Sequence, residues 1–161
     1  GGYSEYLTSK NRNFRSKVLQ KTIMKMPKRI SEIFRTSEDS NVLELKRLFI
    51  DEEEPLGVDI AYFPLNIYPD IYEKIDDNVS TFNIIQKDYG IIVAKAYKEF
   101  SVTTAQSEYS KILNCTLEEP LLFLEKIVYD PDDRPVHYSA NYILARRVKY
   151  FINVDIPFEH K

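Results

Sequence analysis

The chain has 161 residues, 43% of them hydrophobic, and a formal net charge of −3. This length suits a single domain that buries about 70% of the surface of its unfolded chain. No apolar run approaches the roughly 20 residues of a membrane span, and residues 1–29 lack the apolar stretch of a signal peptide. Cys115 is the only cysteine, which excludes an internal disulfide and a thiolate zinc site. We therefore expect one domain over residues 1–161, located in the cytoplasm and without a membrane partner.

The charges are unevenly distributed along the chain. Residues 1–29 contain eight Lys or Arg residues and a single Glu, whereas the remainder is acidic. Such a segment is either an arm that approaches nucleic acid or a solvated stretch that balances an acidic body. No aromatic or glycine pattern of a nucleic-acid-binding module accompanies the charges, which favours the solvated stretch.

The first half of the chain predicts a strand, a helix and a hairpin. Residues 17–24 alternate and are rich in β-branched side chains, as in a strand. Pro27 suits the first turn of a helix, and the apolar residues after it recur at helical spacing. Two apolar strands joined by an acidic turn then occupy residues 42–62. Short helices are predicted over residues 66–75 and 78–89.

The second half repeats this order. Gly90 ends the preceding helix, and residues 91–102 alternate as a strand. Thr103 and Gln106 have the spacing of a capping box that opens a further helix. A second hairpin follows over residues 121–142, and an apolar strand is predicted over residues 150–156.

The two hairpins are built alike. Asp51 and Asp130 open their acidic turns, and Pro55 and Pro135 start their second strands. A repeated supersecondary unit indicates a duplicated architecture. The fold class predicted from this order is α+β, with a largely antiparallel sheet, two related halves and helices on one side of the sheet.

Few residues suit catalysis or metal binding. The sequence has no phosphate-binding glycine loop, no nucleophile elbow and no His-Glu-x-x-His motif, and its two histidines, His137 and His160, are far apart. Acidic clusters lie in predicted turns, where such residues are common. We therefore expect no metal site, no cofactor and no catalytic residues.

Polar residues inside the strands of the first hairpin are more informative. Arg47 shares a strand face with Leu45 and Phe49, and Asp59 interrupts the neighbouring strand in the same way. A charge among apolar side chains needs a partner. Arg47 and Asp59 either form a structural ion pair or belong to a polar ligand site on that face, and both interpretations remain open at this point.

Several segments resemble a known family in order along the chain. KRLFIDEEEPLGVDIAYFP and LLFLEKIVYDPDDRPVHYSANYILARRVKYFI are similar to the two diagnostic segments of the UTRA domain, which is the effector-binding half of GntR/HutC-type bacterial transcription regulators. YSEYLTSKN and VSTFNIIQKDYGIIVAKAYKEF resemble that family's first segment and its helix with a Tyr-Gly turn. The resemblance implies a chorismate-lyase-like fold, a small-molecule effector, a homodimer and operator DNA bound through an N-terminal winged-helix domain that this chain lacks.

The resemblance also implies a set of ligand-binding residues. Members of the family that sense sugar phosphates hold the phosphate through the first segment, the first hairpin and the start of the middle helix, and they hold the sugar through acidic and aromatic positions. The matching residues in this sequence are Tyr3, Ser4, Arg47, Asp59, Ser80, Thr81, Phe82, Lys95, His137 and Tyr142.

This sequence departs from the family pattern at three positions. Phe49 replaces a second arginine, His137 replaces a glutamate, and Ile143 replaces a tyrosine. The loss of one guanidinium removes a strong charge-assisted anchor, so a carboxylate or an uncharged glycoside fits nearly as well as a sugar phosphate. Two alternatives are a lyase-type enzyme of the same fold that acts on a small carboxylate and a pure dimerisation module. An enzyme needs a convergent acid and base, and none stands out.

Overall fold

The computed structural model of the protein describes residues 14–157. Its core is one antiparallel sheet of six strands in the order β1-β2-β3-β6-β5-β4. The strands are β1 (Phe14–Lys25), β2 (Asn41–Asp51), β3 (Glu54–Pro64), β4 (Lys95–Thr104), β5 (Pro120–Tyr129) and β6 (Pro135–Leu144). The predicted strand at residues 17–24 and both predicted hairpins are confirmed.

The sheet consists of two related halves. Each half contributes three strands, β1 to β3 and β4 to β6, with one helix between the first and second strand. The halves join in the middle, where β3 pairs with β6 from Gly57 opposite Ile143 to Tyr62 opposite Tyr138. The predicted α+β class with two related halves is therefore confirmed.

The two hairpin turns differ in length. The first turn uses Glu52 and Glu53, which have φ angles of 51° and 66°, as a two-residue turn that matches the twist of the strands requires. The second turn spans residues 130–134, and the carboxylate of Asp130 accepts hydrogen bonds from the backbone amides of Asp132 and Arg134. Acidic residues thus fix both turns, in keeping with their sequence interpretation.

Two of the helices pack on one face of the sheet, which we call the helix face. They are α1 (Lys28–Phe34) and α3 (Ser107–Ile112). Helix α1 follows Pro27, as predicted, and places Ile30 and Phe34 against Val42 and Tyr138. Leu113, just after α3, belongs to a second cluster with Val58, Leu121 and Leu144.

The opposite face, which we call the pocket face, is covered by the connection at residues 65–91. Tyr68, Ile71 and Ile85 of this connection are fully buried against Leu45 and Phe63. The prediction that helices lie on one side only is therefore wrong, because burial of apolar side chains on the pocket face also requires a cover.

The connection contains less helix than the sequence predicts. It forms a 3-10 turn (Ile71–Lys74), a short helix α2 (Thr81–Asn83) and a π-helical turn (Ile84–Asp88). Asp70 and Asn78 both have a φ of 62°, which interrupts regular helix. Gly90 follows with a φ of 64°, as expected after a helix end. No helix within residues 14–157 is long and apolar enough to cross a membrane.

Two further predictions about local structure are wrong. Thr103 belongs to β4, and α3 begins after Gln106, whose side chain makes no capping hydrogen bond. Residues 150–157 form no strand, although the segment is apolar. Tyr150 packs against Phe100, whereas Ile152, Val154 and Ile156 are 83%, 72% and 85% exposed.

Arg147 ties the end of β6 to the first hairpin. It lies in a 3-10 turn (Ala145–Arg147). Its guanidinium donates to the backbone oxygens of Asp51, Glu54 and Pro55 and forms an ion pair of 3.3 Å with the carboxylate of Asp51. The Asp51 side chain is only 1% exposed. This contact fixes the end of the strand that carries much of the site described next.

Candidate ligand-binding site

A cavity of about 250 Å³ opens between the pocket face of the sheet and the start of α2. Strands β2, β3, β6 and β5 contribute its floor, because side chains of one parity on each strand share this face. Thr81 and Phe82 of α2 lie at its wall. The lining residues are Phe14, Arg47, Phe49, Leu56, Gly57, Asp59, Thr81, Phe82, Lys126, His137, Ser139, Asn141 and Ile143.

Arg47 and Asp59 form an ion pair at the edge of this cavity. They are directly opposite each other on β2 and β3, and Nη2 of Arg47 lies 3.2 Å from Oδ2 of Asp59. Both side chains are buried, yet both line the cavity. The second Nη of Arg47 reaches the carbonyl oxygen of Val79 at 3.4 Å, and its Nε has no partner in the described residues.

The pair therefore combines the two interpretations that the sequence left open. It is a structural ion pair, because one hydrogen bond links the two charges. It is also part of a polar site, because the guanidinium carries five N–H donors and only some of them are engaged within the protein. The remaining donors are available to an acceptor in the cavity.

His137 supplies a neutral polar group deeper in the cavity. Its ring lies 5.0 Å from Phe63 and 5.7 Å from Phe82, measured between ring centroids. Burial, and to a smaller extent the positive charges of Lys126 and Arg47, lower the pKa of His137 to about 3. Its Nδ1 has no hydrogen-bond partner among the described residues. A neutral imidazole has one donor and one acceptor nitrogen, which suits a ligand hydroxyl.

Lys126 is a lining residue that the sequence interpretation missed. It lies on β5 directly opposite Ser139 of β6, and its ammonium is 4.6 Å from the centroid of the Phe82 ring. Burial lowers the pKa of Lys126 to about 8. The signal was present in the sequence, because Lys126 interrupts the apolar run LLFLEKIVY in the way that Arg47 interrupts the first hairpin.

Ser139 and Asn141 also line the cavity but were not among the predicted site residues. They follow His137 at two-residue spacing on β6, so all three side chains point to the pocket face. Ser139 is buried and Asn141 is partly buried. The parity of the strand was available from the sequence once His137 was selected, and it predicts these two neighbours.

A second cavity of about 400 Å³ adjoins the first and shares Arg47, Thr81 and Phe82 with it. Ser80 lines this second cavity, and its hydroxyl accepts a hydrogen bond from the backbone amide of Asn83 as the N-cap of α2. Arg15 also lines it and pairs with Glu53 at 3.0 Å. Arg47 therefore stands at the junction of two connected spaces.

The structure brings most of the predicted site residues together. Arg47, Asp59, Thr81, Phe82 and His137 line the first cavity, and Ser80 lines the second. A role for these residues in ligand binding stays a prediction. Tyr3 and Ser4 lie outside the described residues.

Tyr142 and Lys95, which were also predicted to bind the ligand, do not line either cavity. Tyr142 has the opposite parity to His137 on β6, so it points to the helix face and stacks on Tyr109 at 4.6 Å. Lys95 begins the edge strand β4 and forms an ion pair with Asp133. No group of residues in the described range 14–157 has the arrangement of a metal site.

The comparisons with known proteins agree with this architecture. The UTRA domain family matches residues 9–149. The chain is 31% identical over 152 residues to the uncharacterised HTH-type transcriptional regulator YurK of Bacillus subtilis, and the match covers 94% of this chain and 63% of YurK. It is 29% identical over 153 residues to a probable fructoselysine utilization operon transcriptional repressor of Escherichia coli, covering 94% of this chain and 62% of the repressor.

Solved structures match the fold closely. The C-terminal domain of YurK from Bacillus subtilis superposes with a TM-score of 0.81 at 30% identity, covering 86% of this chain and 95% of that domain. The effector domain of PhnF from Mycobacterium smegmatis superposes with a TM-score of 0.89 at 15% identity, covering 97% and 96%. At that identity the second match shows the fold alone.

A two-halved α+β sheet with a ligand-sized cavity on one face defines an effector-binding domain of the chorismate-lyase-like type. The chain belongs to the UTRA family of GntR-type transcription regulators. The relatives named above are regulators and repressors rather than enzymes. The chain spans 63% of YurK and 62% of the Escherichia coli repressor.

Proposed function

We propose that this domain senses a small polyhydroxylated anion, such as a sugar phosphate or a related acid, and controls a bacterial transcription regulator. The observation that carries the proposal is the buried guanidinium of Arg47, which lines the cavity with donors that the protein leaves unengaged. A buried cation of this kind suits a phosphate or carboxylate, since a planar guanidinium matches both.

The rest of the cavity suits hydroxyl groups. Asp59 and Asn141 offer acceptor oxygens, while Ser139 and the neutral ring of His137 can each donate or accept. Phe49, Leu56 and the other apolar side chains of the wall supply contact area. A small site that combines apolar walls with a few placed polar groups is typical of metabolite binding.

The relatives support a carbohydrate-derived effector. One set is named for a fructoselysine utilization operon, and a 21% identical relative from Escherichia coli is named as the repressor of a mannosyl-D-glycerate transport and metabolism system. Both names refer to compounds that contain a sugar. Phe49 stands where a second arginine would reinforce a phosphate site, so a carboxylate at Arg47 is also compatible with the proposal.

Thermal shift and calorimetry test the proposal. The domain should gain stability with members of a panel of sugar phosphates and sugar acids, and the ligand recovered afterwards should be unchanged. Arg47→Ala should weaken binding of the best ligand by about 10- to 100-fold, the equivalent of a charge-assisted hydrogen bond. Lys46→Ala is the matched control, because Lys46 is the next residue on β2 and points to the helix face. An equal loss of affinity in both variants contradicts the proposal. A panel in which no compound binds the wild-type domain also contradicts it.

The partner of this domain in the whole regulator is proposed to be an N-terminal winged-helix domain that binds operator DNA in the cytoplasm. The relatives are longer than this chain, and YurK is named as an HTH-type regulator. Ligand binding would then alter how the DNA-binding domains of a regulator engage the operator, by shifting the population of two arrangements.

We also propose that the domain forms a homodimer through the β4 side of the sheet. Strand β4 is an edge strand, and Tyr97, Phe100 and Val102 on it are 54%, 44% and 74% exposed. Exposed edge strands and apolar patches mark association surfaces. Two-fold association also fits operators with two half-sites.

Sedimentation velocity at micromolar concentration tests the dimer. Val102→Glu should shift the protein towards monomer, because it places a charge at the centre of the proposed interface. Ile23→Glu is the control, since Ile23 is 52% exposed on β1 at the opposite edge of the sheet. A wild-type domain that sediments only as a monomer contradicts this interface.

A further inference from the structure

Lys126 is a second cation in the cavity, on the opposite side from Arg47. Its ammonium rests against the Phe82 ring, and within the described residues it contacts no carboxylate and donates no hydrogen bond. The nearby carboxylate of Asp59 favours the ammonium but forms its ion pair with Arg47. A partly buried ammonium without an ion pair of its own is unfavourable in the empty protein. Such an arrangement is expected when a ligand supplies the missing negative charge.

Arg47 and Lys126 enter the cavity from strands that are not neighbours in the sheet. Arg47 lies on β2 and Lys126 on β5, which are separated by three inter-strand steps, or about 14 Å between backbones. The groups between them carry no net positive charge. Asp59 is paired with Arg47, His137 is neutral, and Ser139 and Asn141 are uncharged. The floor of the cavity therefore carries a cation on β2 and another on β5, with uncharged polar groups on the strands between them.

We propose that Lys126 is a specificity-determining residue that holds an anionic group of the effector, distinct from the anionic group held by Arg47. The effector is then a polyhydroxylated molecule with an acid at each end, such as a phosphorylated sugar acid or a sugar bisphosphate. This inference rests on the proposed function and narrows its ligand class.

The protonation of Lys126 gives the proposal a second readout. The charged and titratable groups near Lys126 are Asp59 on β3, Arg47 on β2, Lys98 on β4 and His137 on β6. In the empty protein, burial holds the pKa of Lys126 at about 8. A bound anion favours the ammonium and raises this pKa. Between about pH 7 and pH 8, where His137 is neutral and phosphates are almost fully ionised, affinity should therefore be nearly constant, and it should decline above pH 8.

Isothermal titration with two probes that differ at one end tests the proposal. 6-Phosphogluconate carries a phosphate and a carboxylate, whereas glucose 6-phosphate carries the phosphate alone. At pH 7 the wild-type domain should bind 6-phosphogluconate at least tenfold more tightly. Lys126→Met should lower the affinity for 6-phosphogluconate by about 10- to 100-fold. The variant should then bind the two probes with similar affinity.

The controls separate charge at this position from a general effect. Lys98→Met should leave both affinities unchanged, because Lys98 is directly opposite Lys126 on β4, faces the same side and does not line the cavity. Lys126→Arg should still prefer 6-phosphogluconate over glucose 6-phosphate. It should keep this preference at pH 9, since arginine stays charged there. The melting temperature of Lys126→Met should equal or exceed that of the wild type.

The outcomes distinguish this inference from the proposed function. Equal affinity of the wild-type domain for the two probes, or a preference that survives in Lys126→Met, overturns the role of Lys126 and leaves the sugar-phosphate sensor in place. Failure of 6-phosphogluconate to bind while a monophosphate binds overturns the two-acid ligand class. Failure of every sugar phosphate and sugar acid overturns both proposals.

Discussion

Removal of Arg47 should destabilise the ligand-free domain by a moderate and calculable amount. Arg47→Ala leaves the carboxylate of Asp59, which is 4% exposed, without its 3.2 Å partner. Breaking a sealed ion pair costs about 3–5 kcal/mol, whereas losing one hydrogen bond to a charged group costs about 1.5–3 kcal/mol. The pair has a single close contact and borders a cavity that water can fill, so we expect about 2 kcal/mol.

Thermal and urea unfolding of the ligand-free variants measure this loss. For a domain of this size, about 2 kcal/mol corresponds to a fall in melting temperature of roughly 4–8 °C. Asp59→Asn in the Arg47→Ala background should restore part of the loss, because it removes the stranded charge. The coupling between the two substitutions should be about 1 kcal/mol. A melting temperature of Arg47→Ala that equals or exceeds the wild-type value would refute the structural part of this account and leave Arg47 as a residue that serves only the ligand.

Three further predictions concern other parts of the molecule. Arg147→Ala should lower the free energy of unfolding by about 3 kcal/mol, because it removes the buried ion pair with Asp51 and the hydrogen bonds to the backbone oxygens of Glu54 and Pro55, and urea denaturation measures this. Stability should fall by about 2 kcal/mol between pH 7 and pH 5, because His137 has a pKa of about 3 in the folded chain and near 6.5 when unfolded, so the unfolded state takes up the proton first. His137→Gln should flatten that slope. The isolated domain, with its net charge of −3, should show no operator-specific binding by fluorescence anisotropy, and any residual binding should disappear with salt.

The sheet was predictable from the sequence because its strands carry strong local patterns. Alternation and β-branched residues mark β1, and the acidic turns with Asp51 and Asp130 mark both hairpins. The helix at Pro27 was predictable for the same reason. These features depend on residues that are close together in the sequence, so a single sequence is enough to recognise them.

The failures arise where tertiary context decides. The segment after residue 150 has the composition of a strand, yet it forms no strand within the described residues. The helix predicted over residues 78–89 starts only at Thr81, because Asn78 takes a left-handed conformation, and its second part is a π-helical turn. Secondary-structure propensities do not contain such tertiary constraints.

The site was only partly predictable. Arg47 and Asp59 stood out because charge is rare inside apolar strands, and Lys126 carried the same signal. Tyr142 was selected by similarity without regard to strand parity, although the odd spacing from His137 places it on the opposite face. Parity along β6 also selects Ser139 and Asn141. The convergence of β2 and β5 side chains on one cavity depends on the strand order, which the sequence does not specify.

A crystal structure of the domain with the sugar phosphate or sugar acid that stabilises it most tests the central claim most directly. The ligand should occupy the cavity above β2, β3, β6 and β5, with an anionic group on Arg47 and hydroxyl groups within hydrogen-bond distance of Asp59, Ser139 or Asn141. A ligand bound on the helix face beside Tyr142, or bound in this cavity without contact to Arg47, would contradict the account.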